Sequence, residues 1–164
     1  MKRLHRRVSR QQKRSKNRQK ARKRLARVYL HVSRQREDHA RKLAGTLIAS
    51  CDAIAYEALQ MRNMVKNHHL AKFISDASWA RFLWWVEHYA RLHGIMAIAV
   101  PPHWTTQDCS GVLPDGSPCS ERVRKSLSVR THVYPSCGLV LDRDHNAALN
   151  VCQAAETYLH RTAG

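Results

Sequence analysis

Asp52-Ala53-Ile54-Ala55-Tyr56-Glu57-Ala58-Leu59 is the stretch on which the fold turns. Ile54 and Tyr56 alternate with small alanines, the pattern of a short, mostly buried strand, with Glu57 at its C-terminal end. A second apolar run, Ile95-Met96-Ala97-Ile98-Ala99-Val100, also reads as a strand and is stopped by Pro101-Pro102. Between them residues 60–74 read as a polar, basic loop, and Trp79, Phe82, Leu83, Val86, Tyr89 and Ala90 form the apolar face of a helix. Ser75 or Asp76 can cap that helix and Gly94 can end it. A strand, a helix and a second strand imply a small parallel pair and an α/β class.

Working outward, the N-terminal side is dominated by charge. Residues 1–50 carry 18 Lys/Arg against the two acids Glu37 and Asp38, a net of +16, while the rest of the chain is nearly neutral at +1. Residues 1–14 are basic with sparse apolar side chains, and Ser15-Lys16-Asn17 can cap a new helix. Leu25, Val28, Tyr29 and Val32 then recur at helical spacing, with Leu43, Leu47 and Ile48 extending the stripe, so a long helix is predicted over about 18–49. A block this basic attracts a polyanion, and released counterions favour nucleic acid. The arm lacks the Trp/Phe/Leu face of a helix that lies on a membrane.

No apolar run reaches membrane-spanning length, and Met1-Lys2-Arg3 leads into further charge and not into the apolar core of a signal peptide. The five cysteines are odd in number, which with no export signal points to a reducing, cytoplasmic setting and thiolate–metal chemistry over disulfides. The 164 residues suffice for one domain and a small insert.

The C-terminal third carries two constellations. Asp142-Arg143-Asp144-His145-Asn146 opens a helix expected over about 144–160, so Asp144 sits at a helix mouth and Asp142 is a candidate N-cap. Two-metal phosphodiester cleavage needs several carboxylates converging on Mg²⁺, and hard cations prefer oxygen ligands. Glu57 at a strand end and Asp144 at a helix start suit that chemistry; each alone reads equally as an ordinary exposed acid. Cys109, Cys119 and Cys137 flank a turn-rich loop in the manner of a zinc ribbon, which wants two ligand pairs. Three residues before Cys137 stands Tyr134, a poor zinc ligand, so His132 or His103 is a candidate fourth donor. The rival reading is a metal-free loop. Cys51 and Cys152 read as small core residues.

Several segments resemble one family. Ser15-Lys16-Asn17-Arg18, Arg34-Gln35-Arg36-Glu37-Asp38, Ile54-Ala55-Tyr56-Glu57-Ala58-Leu59, Ile74-Ser75-Asp76-Ala77-Ser78-Trp79, Lys125-Ser126-Leu127-Ser128-Val129-Arg130-Thr131-His132 and Asp142-Arg143-Asp144-His145-Asn146-Ala147-Ala148 are similar, in order, to TnpB. TnpB proteins are transposon-encoded, RNA-guided nucleases related to type V CRISPR effectors. The resemblance implies an α/β fold, a truncated RNase H-like (RuvC) core with a long basic N-terminal helix and a small zinc-ribbon-like insert. It divides the chain into a basic helical arm (1–50), a partial nuclease core (51–102 and 139–164) and the ribbon (103–138).

Glu57 then matches the family's second catalytic acid and Asp144 its third, both Mg²⁺ ligands, with Asp142, Arg143 and Asn146 framing the site. The first acid belongs to an early strand expected to lie ahead of this chain's first residue. Zn²⁺ would be held by Cys109, Cys119 and Cys137, with His132 as a further candidate and Tyr134 in a cysteine slot. DNA and a guide RNA are the implied partners, in a bacterial or archaeal cytoplasm. Arg7, Arg10, Lys13, Arg14, Lys16, Arg18, Lys20, Arg22, Lys23, Arg24, Arg27, Arg130 and Arg143 are the candidate nucleic-acid contacts, and Trp104 could add another. Lacking one carboxylate, the chain is expected not to cut alone. Two alternatives are a non-catalytic nucleic-acid-binding fragment and an accessory chain that completes its site with a partner.

Overall fold

A computed structural model describes residues 1–64, 66–67, 71, 78–119, 121–124, 126 and 128–162. The caps expected at Ser75 or Asp76 lie outside the described residues, as do His68, His69, Lys125 and Leu127. The chain forms two compact units: Met1–Ser50 with Met61–His93, and Cys51–Gln60 with Gly94–Gly164.

The first unit is helical. Helix α1 spans Lys2–Ser9 and α2 spans Lys16–Ile48. Ser15 caps α2 as its spacing predicted, its hydroxyl accepting from the Arg18 N–H at 3.1 Å. Arg14, at φ 67°, sits in the left-handed region in the turn between the two helices. His5 Nε2 meets the Tyr29 hydroxyl at 2.5 Å and ties α1 to α2.

A helical turn, α3, occupies Met61–Met64 at the start of the segment read as loop. Helix α4 (Trp79–His93) lies against α2 and ends at Gly94, whose φ of 69° is the left-handed conformation a helix stop requires. Glu37 joins α2 to α4, accepting from Trp85 Nε1 at 2.7 Å and pairing with Arg81 Nε at 3.0 Å.

Two expectations about these faces are corrected. The buried row of α2 is Ala21, Ala40, Ala44 and Ile48, with Leu25, Val28 and Val32 half-buried; Tyr29, Leu43 and Leu47 face outward. Small residues line α2 where it meets the aromatic α4: Gly45 lies beside Tyr89, between the buried Ala44 and Ile48. On α4, Val86 and Ala90 are buried, but Trp79 at the first helical position lies past the end of that row and is 40% exposed.

The second unit holds the parallel pair that the strand spacing predicted. Strand β1 (Ala53–Glu57) pairs with β2 (Met96–Val100), Ala53 opposite Met96 and Glu57 opposite Val100. The ladder continues one bond further, from the Ala58 N–H to the Val100 carbonyl at 2.8 Å. Helix α5 (Arg143–Thr162) covers one face of the pair, its Val151, Ala155 and Leu159 packing on Ile98, Val100 and Ala55. Cys152 follows Val151 by about 100° around the helix and is exposed, and Cys51 is only half-buried, so neither is the core residue expected.

An antiparallel pair, β3 (Thr131–Val133) with β4 (Val140–Asp142), escaped the sequence reading because each strand is three residues long. Strand β4 runs directly into α5. Among the described residues no helix is long and apolar enough to cross a membrane.

Candidate functional site

Three side-chain groupings bear on function, and two lie in the second unit. The parallel ladder delivers Glu57 to the C-terminal edge of the strands, the usual place for chemistry in open α/β sheets. Its Oε1 accepts the hydroxyl hydrogen of Thr105 at 2.5 Å. Thr105 follows the Pro101-Pro102 stop of β2 and Trp104, which holds a left-handed φ of 65°. The Gln107 and Asp108 N–H groups close a turn onto the Trp104 carbonyl at 2.8 and 2.9 Å.

That turn is clamped from α5. Asn146, wholly buried, donates to the Asp108 carbonyl at 2.8 Å and the Thr105 carbonyl at 3.4 Å, while its Oδ1 accepts from the Ser110 N–H and hydroxyl at 3.1 and 2.9 Å. Asn150 donates to the carbonyls of Thr105 and Asp108 at 2.8 and 2.7 Å, and Gln153 to that of Ser110 at 3.1 Å. Asn146, Asn150 and Gln153 stand at i, i+4 and i+7, one helix face given over to amides. The sequence reading picked out Asn146 alone. The helical spacing of the three amides was the signal for the other two, but nothing in the sequence singled out Thr105.

Asp144 lies in the first turn of α5, two residues before Asn146. Its carboxylate is 70% exposed and has Arg143 Nε at 3.4 Å and Arg130 Nη1 at 3.6 Å. Asp142 is the N-cap, its Oδ1 accepting from the N–H groups of Asp144 at 2.8 Å and His145 at 3.2 Å. The His145 and Asp144 N–H bonds hold its carboxyl below the usual carboxylate range. Arg143 keeps little of its side chain in solvent, whereas Arg130 is largely exposed.

The carboxylates of Glu57 and Asp144 have the chemistry of Mg²⁺ ligands, since that ion takes one or two protein carboxylates and completes its shell with water or phosphate. Among the described residues the only group of three or more possible ligands whose donor atoms converge is a set of thiols.

Those thiols are Cys109, Cys119 and Cys137, whose sulfur atoms all lie within 4.8 Å of one another. A hairpin brings Cys109 and Cys119 together, with Val112 bridging Pro118 and Gly116 at a φ of 83° in the turn, and Cys137 joins them from the turn between β3 and β4. The Cys119 N–H reaches the Gly111 carbonyl at 2.9 Å. Cys109 and Cys137 are 3.5 Å apart, and the Gly111 N–H points at Cys109 Sγ at 3.3 Å. A side chain at Gly111 would meet Leu139 Cδ2 at 3.2 Å and Cys137 Sγ at 3.3 Å, so any larger residue there would press on the cluster.

Burial pushes the Cys109 thiol up to about 12, while the Leu139 N–H draws Cys137 below its ordinary value. Three convergent thiols fit three corners of a tetrahedral site, so the cluster can hold a metal ion such as zinc.

His132 does not join them. It is buried and its Nδ1 meets the Tyr134 hydroxyl at 2.9 Å. Tyr134 is wholly buried, donates to the Asp108 carbonyl at 3.3 Å, and has its phenol pushed up to about 12 by burial and by the nearby thiols and Asp108. His103 is exposed and lines, with Thr105, Cys109 and Asn150, a groove of about 590 Å³. Trp104 is 44% exposed and carries the Arg122 guanidinium 4.3 Å above its ring, held there by two bonds to Asp108 at 2.5 and 2.9 Å.

The basic residues form the third grouping, in the first unit. Lys2, Arg3, Arg6, Arg7, Arg10 and Arg24 line one crevice of about 850 Å³ between α1 and α2. Arg7, Arg10 and Arg24 are among the candidates named from sequence. Arg7, Arg24 and Lys20 also line a neighbouring hollow of about 340 Å³. Arg18 is half-buried and bonds the Gln11 carbonyl at 3.4 Å, while Lys13, Arg14, Lys16, Arg22, Lys23 and Arg27 are exposed.

Two family models match the chain in succession: the "Probable transposase" family over residues 1–68 and the "Cas12f1-like, TNB domain" over residues 79–151. The class is thus that of transposase-related proteins with a Cas12f1-like domain. A "Putative RNA-guided DNA endonuclease" of Streptomyces pristinaespiralis is 33% identical over 147 residues, 90% of this chain and 35% of that protein. The chain belongs to the TnpB-type family and spans about a third of the length of this curated relative. Among solved structures, a chain of the Cas12f1–sgRNA–target DNA complex matches with a TM-score of 0.49 at 19% identity, covering 83% of this chain and 36% of that one.

Proposed function

We propose that this chain is part of an RNA-guided, Mg²⁺-dependent DNA endonuclease, and that by itself it binds nucleic acid without cutting it. In this reading residues 51–102 and 139–164 form a RuvC-type core interrupted by a zinc-binding ribbon at 103–138, and residues 1–50 are the basic arm. One observation carries it. Glu57 is held at the end of a parallel strand by Thr105, and Thr105 is clamped by the helix that Asp144 opens. When bound, Mg²⁺ would neutralise charge on a scissile phosphate. Glu57 and Asp144 would hold it. Arg143 and Arg130, beside Asp144, would give way to phosphate or to the ion.

The expectation of no turnover rests on the resemblance, in which Glu57 and Asp144 match two of the family's three metal-binding acids. Purified 1–164 with Mg²⁺, transcribed RNA and plasmid DNA is expected to leave the plasmid uncut. Cleavage abolished by Glu57→Gln and by Asp144→Asn would overturn the claim of inactivity while supporting the assignment of the acids. Cleavage that survives both would overturn the assignment.

A further inference from the structure

Thr105 has no role in the proposed chemistry beyond its contact with Glu57, yet it is a buried polar residue tied down at that strand end. It is only 7% exposed. Its hydroxyl donates to Glu57 Oε1 at 2.5 Å, and its carbonyl accepts from Asn150 at 2.8 Å and Asn146 at 3.4 Å. Both ends of the residue are therefore fixed, one by the carboxylate and one by α5. We propose that Thr105 is the positioning residue that holds the Glu57 carboxylate in its divalent-ion-binding orientation, a proposal that rests on reading Glu57 as a metal ligand.

A glutamate ending a strand has three free torsions, and freezing them costs conformational entropy whenever an ion binds. A donor that fixes one oxygen beforehand removes that cost and leaves the other oxygen for the ion. The kind of donor matters. A hydroxyl is neutral and leaves the full negative charge of Glu57 to attract a cation. Asp144 shows the contrast: the guanidinium groups of Arg143 and Arg130, at 3.4 and 3.6 Å, compete directly with a metal for its charge. The amide ladder of α5 supplies the rigidity. Asn146 and Asn150 grip the Thr105 carbonyl and that of Asp108, so the hydroxyl is aimed from the helix on which Asp144 also stands. Hydrogen-bond partners of metal-ligating carboxylates set metal affinity in this way in many sites.

The test titrates Mn²⁺ alone into the full chain and follows the free ion by electron paramagnetic resonance. Glu57→Gln is expected to remove the tightest site. Thr105→Val, which keeps the shape and loses the hydroxyl, is expected to weaken that site by about tenfold to a hundredfold. Thr105→Ser, which keeps the hydroxyl, is expected to retain it. Wild-type affinity in Thr105→Val beside a lost site in Glu57→Gln would overturn the role of Thr105 and leave Glu57 standing. Unchanged binding in Glu57→Gln would remove the assignment of Glu57 and the present proposal with it. Should Thr105→Val fail to fold, the wild-type chain still decides: the Thr105 methyl resonance should be among the first broadened by Mn²⁺. A sharp signal at saturating ion would overturn the proposal.

Discussion

Asp142 shows how one carboxylate serves a helix without doing chemistry. It accepts from two N–H groups at the start of α5, while the carboxylate of its neighbour Asp144 is exposed beside Arg143 and Arg130. Those bonds favour the charged form and hold its titration below the ordinary carboxylate value of about 3.9. The stability it contributes is therefore fully present above that ordinary value and is lost as pH falls through the lower, folded-state one. Thermal melts between neutral pH and pH 3 should show that acid-side loss. In Asp142→Asn, which can still cap, the loss should be smaller; in Asp142→Ala the melting temperature should drop already at neutral pH. An Asp142→Asn profile superimposing on wild type would refute the linkage.

Among the elements, the hairpin at 109–119 and helix α5 meet the second unit's chemistry from two sides. The hairpin sets Cys109 and Cys119, ten residues apart, beside Cys137 from the turn between β3 and β4, while Tyr134 bonds His132 and the Asp108 carbonyl. Elemental analysis of the purified chain is expected to find close to one equivalent of zinc, lost in Cys137→Ser; a metal-free wild-type chain would refute it. Helix α5 depends on a small apolar contact with the strands. Ile98 is 9% exposed in that cluster, so Ile98→Ala should cost about 2–4 kcal/mol in a denaturant titration. A cost near zero would mean the parallel pair does not fold as drawn. The amide ladder adds specificity to this contact, because it supplies partners to the carbonyls of Thr105, Asp108 and Ser110.

At the scale of the whole molecule the charge is divided as sharply as the structure. The first 50 residues hold +16 of the +17, and their cations line the crevice between α1 and α2. If six of those cations each neutralise a phosphate, the logarithm of affinity should fall with the logarithm of salt at a slope of about −5. Fluorescence anisotropy over a salt series, on two unrelated oligonucleotides, checks both the slope and its indifference to sequence. A flat response would refute phosphate binding by the arm.

The sequence alone determined the two strands, the three main helices, the Ser15 and Asp142 caps and the segregation of charge. Each of these rests on local spacing or on a single side chain bonding its own backbone, and such effects are written within a few residues. Only tertiary structure decided which face of α2 is buried, because small residues become an interface when aromatic residues arrive opposite them. It alone left His132 outside the cysteine cluster and set Thr105 against Glu57 across 48 residues of chain. Those relations depend on how a turn closes and where a helix lies, and a linear pattern of residue types carries neither.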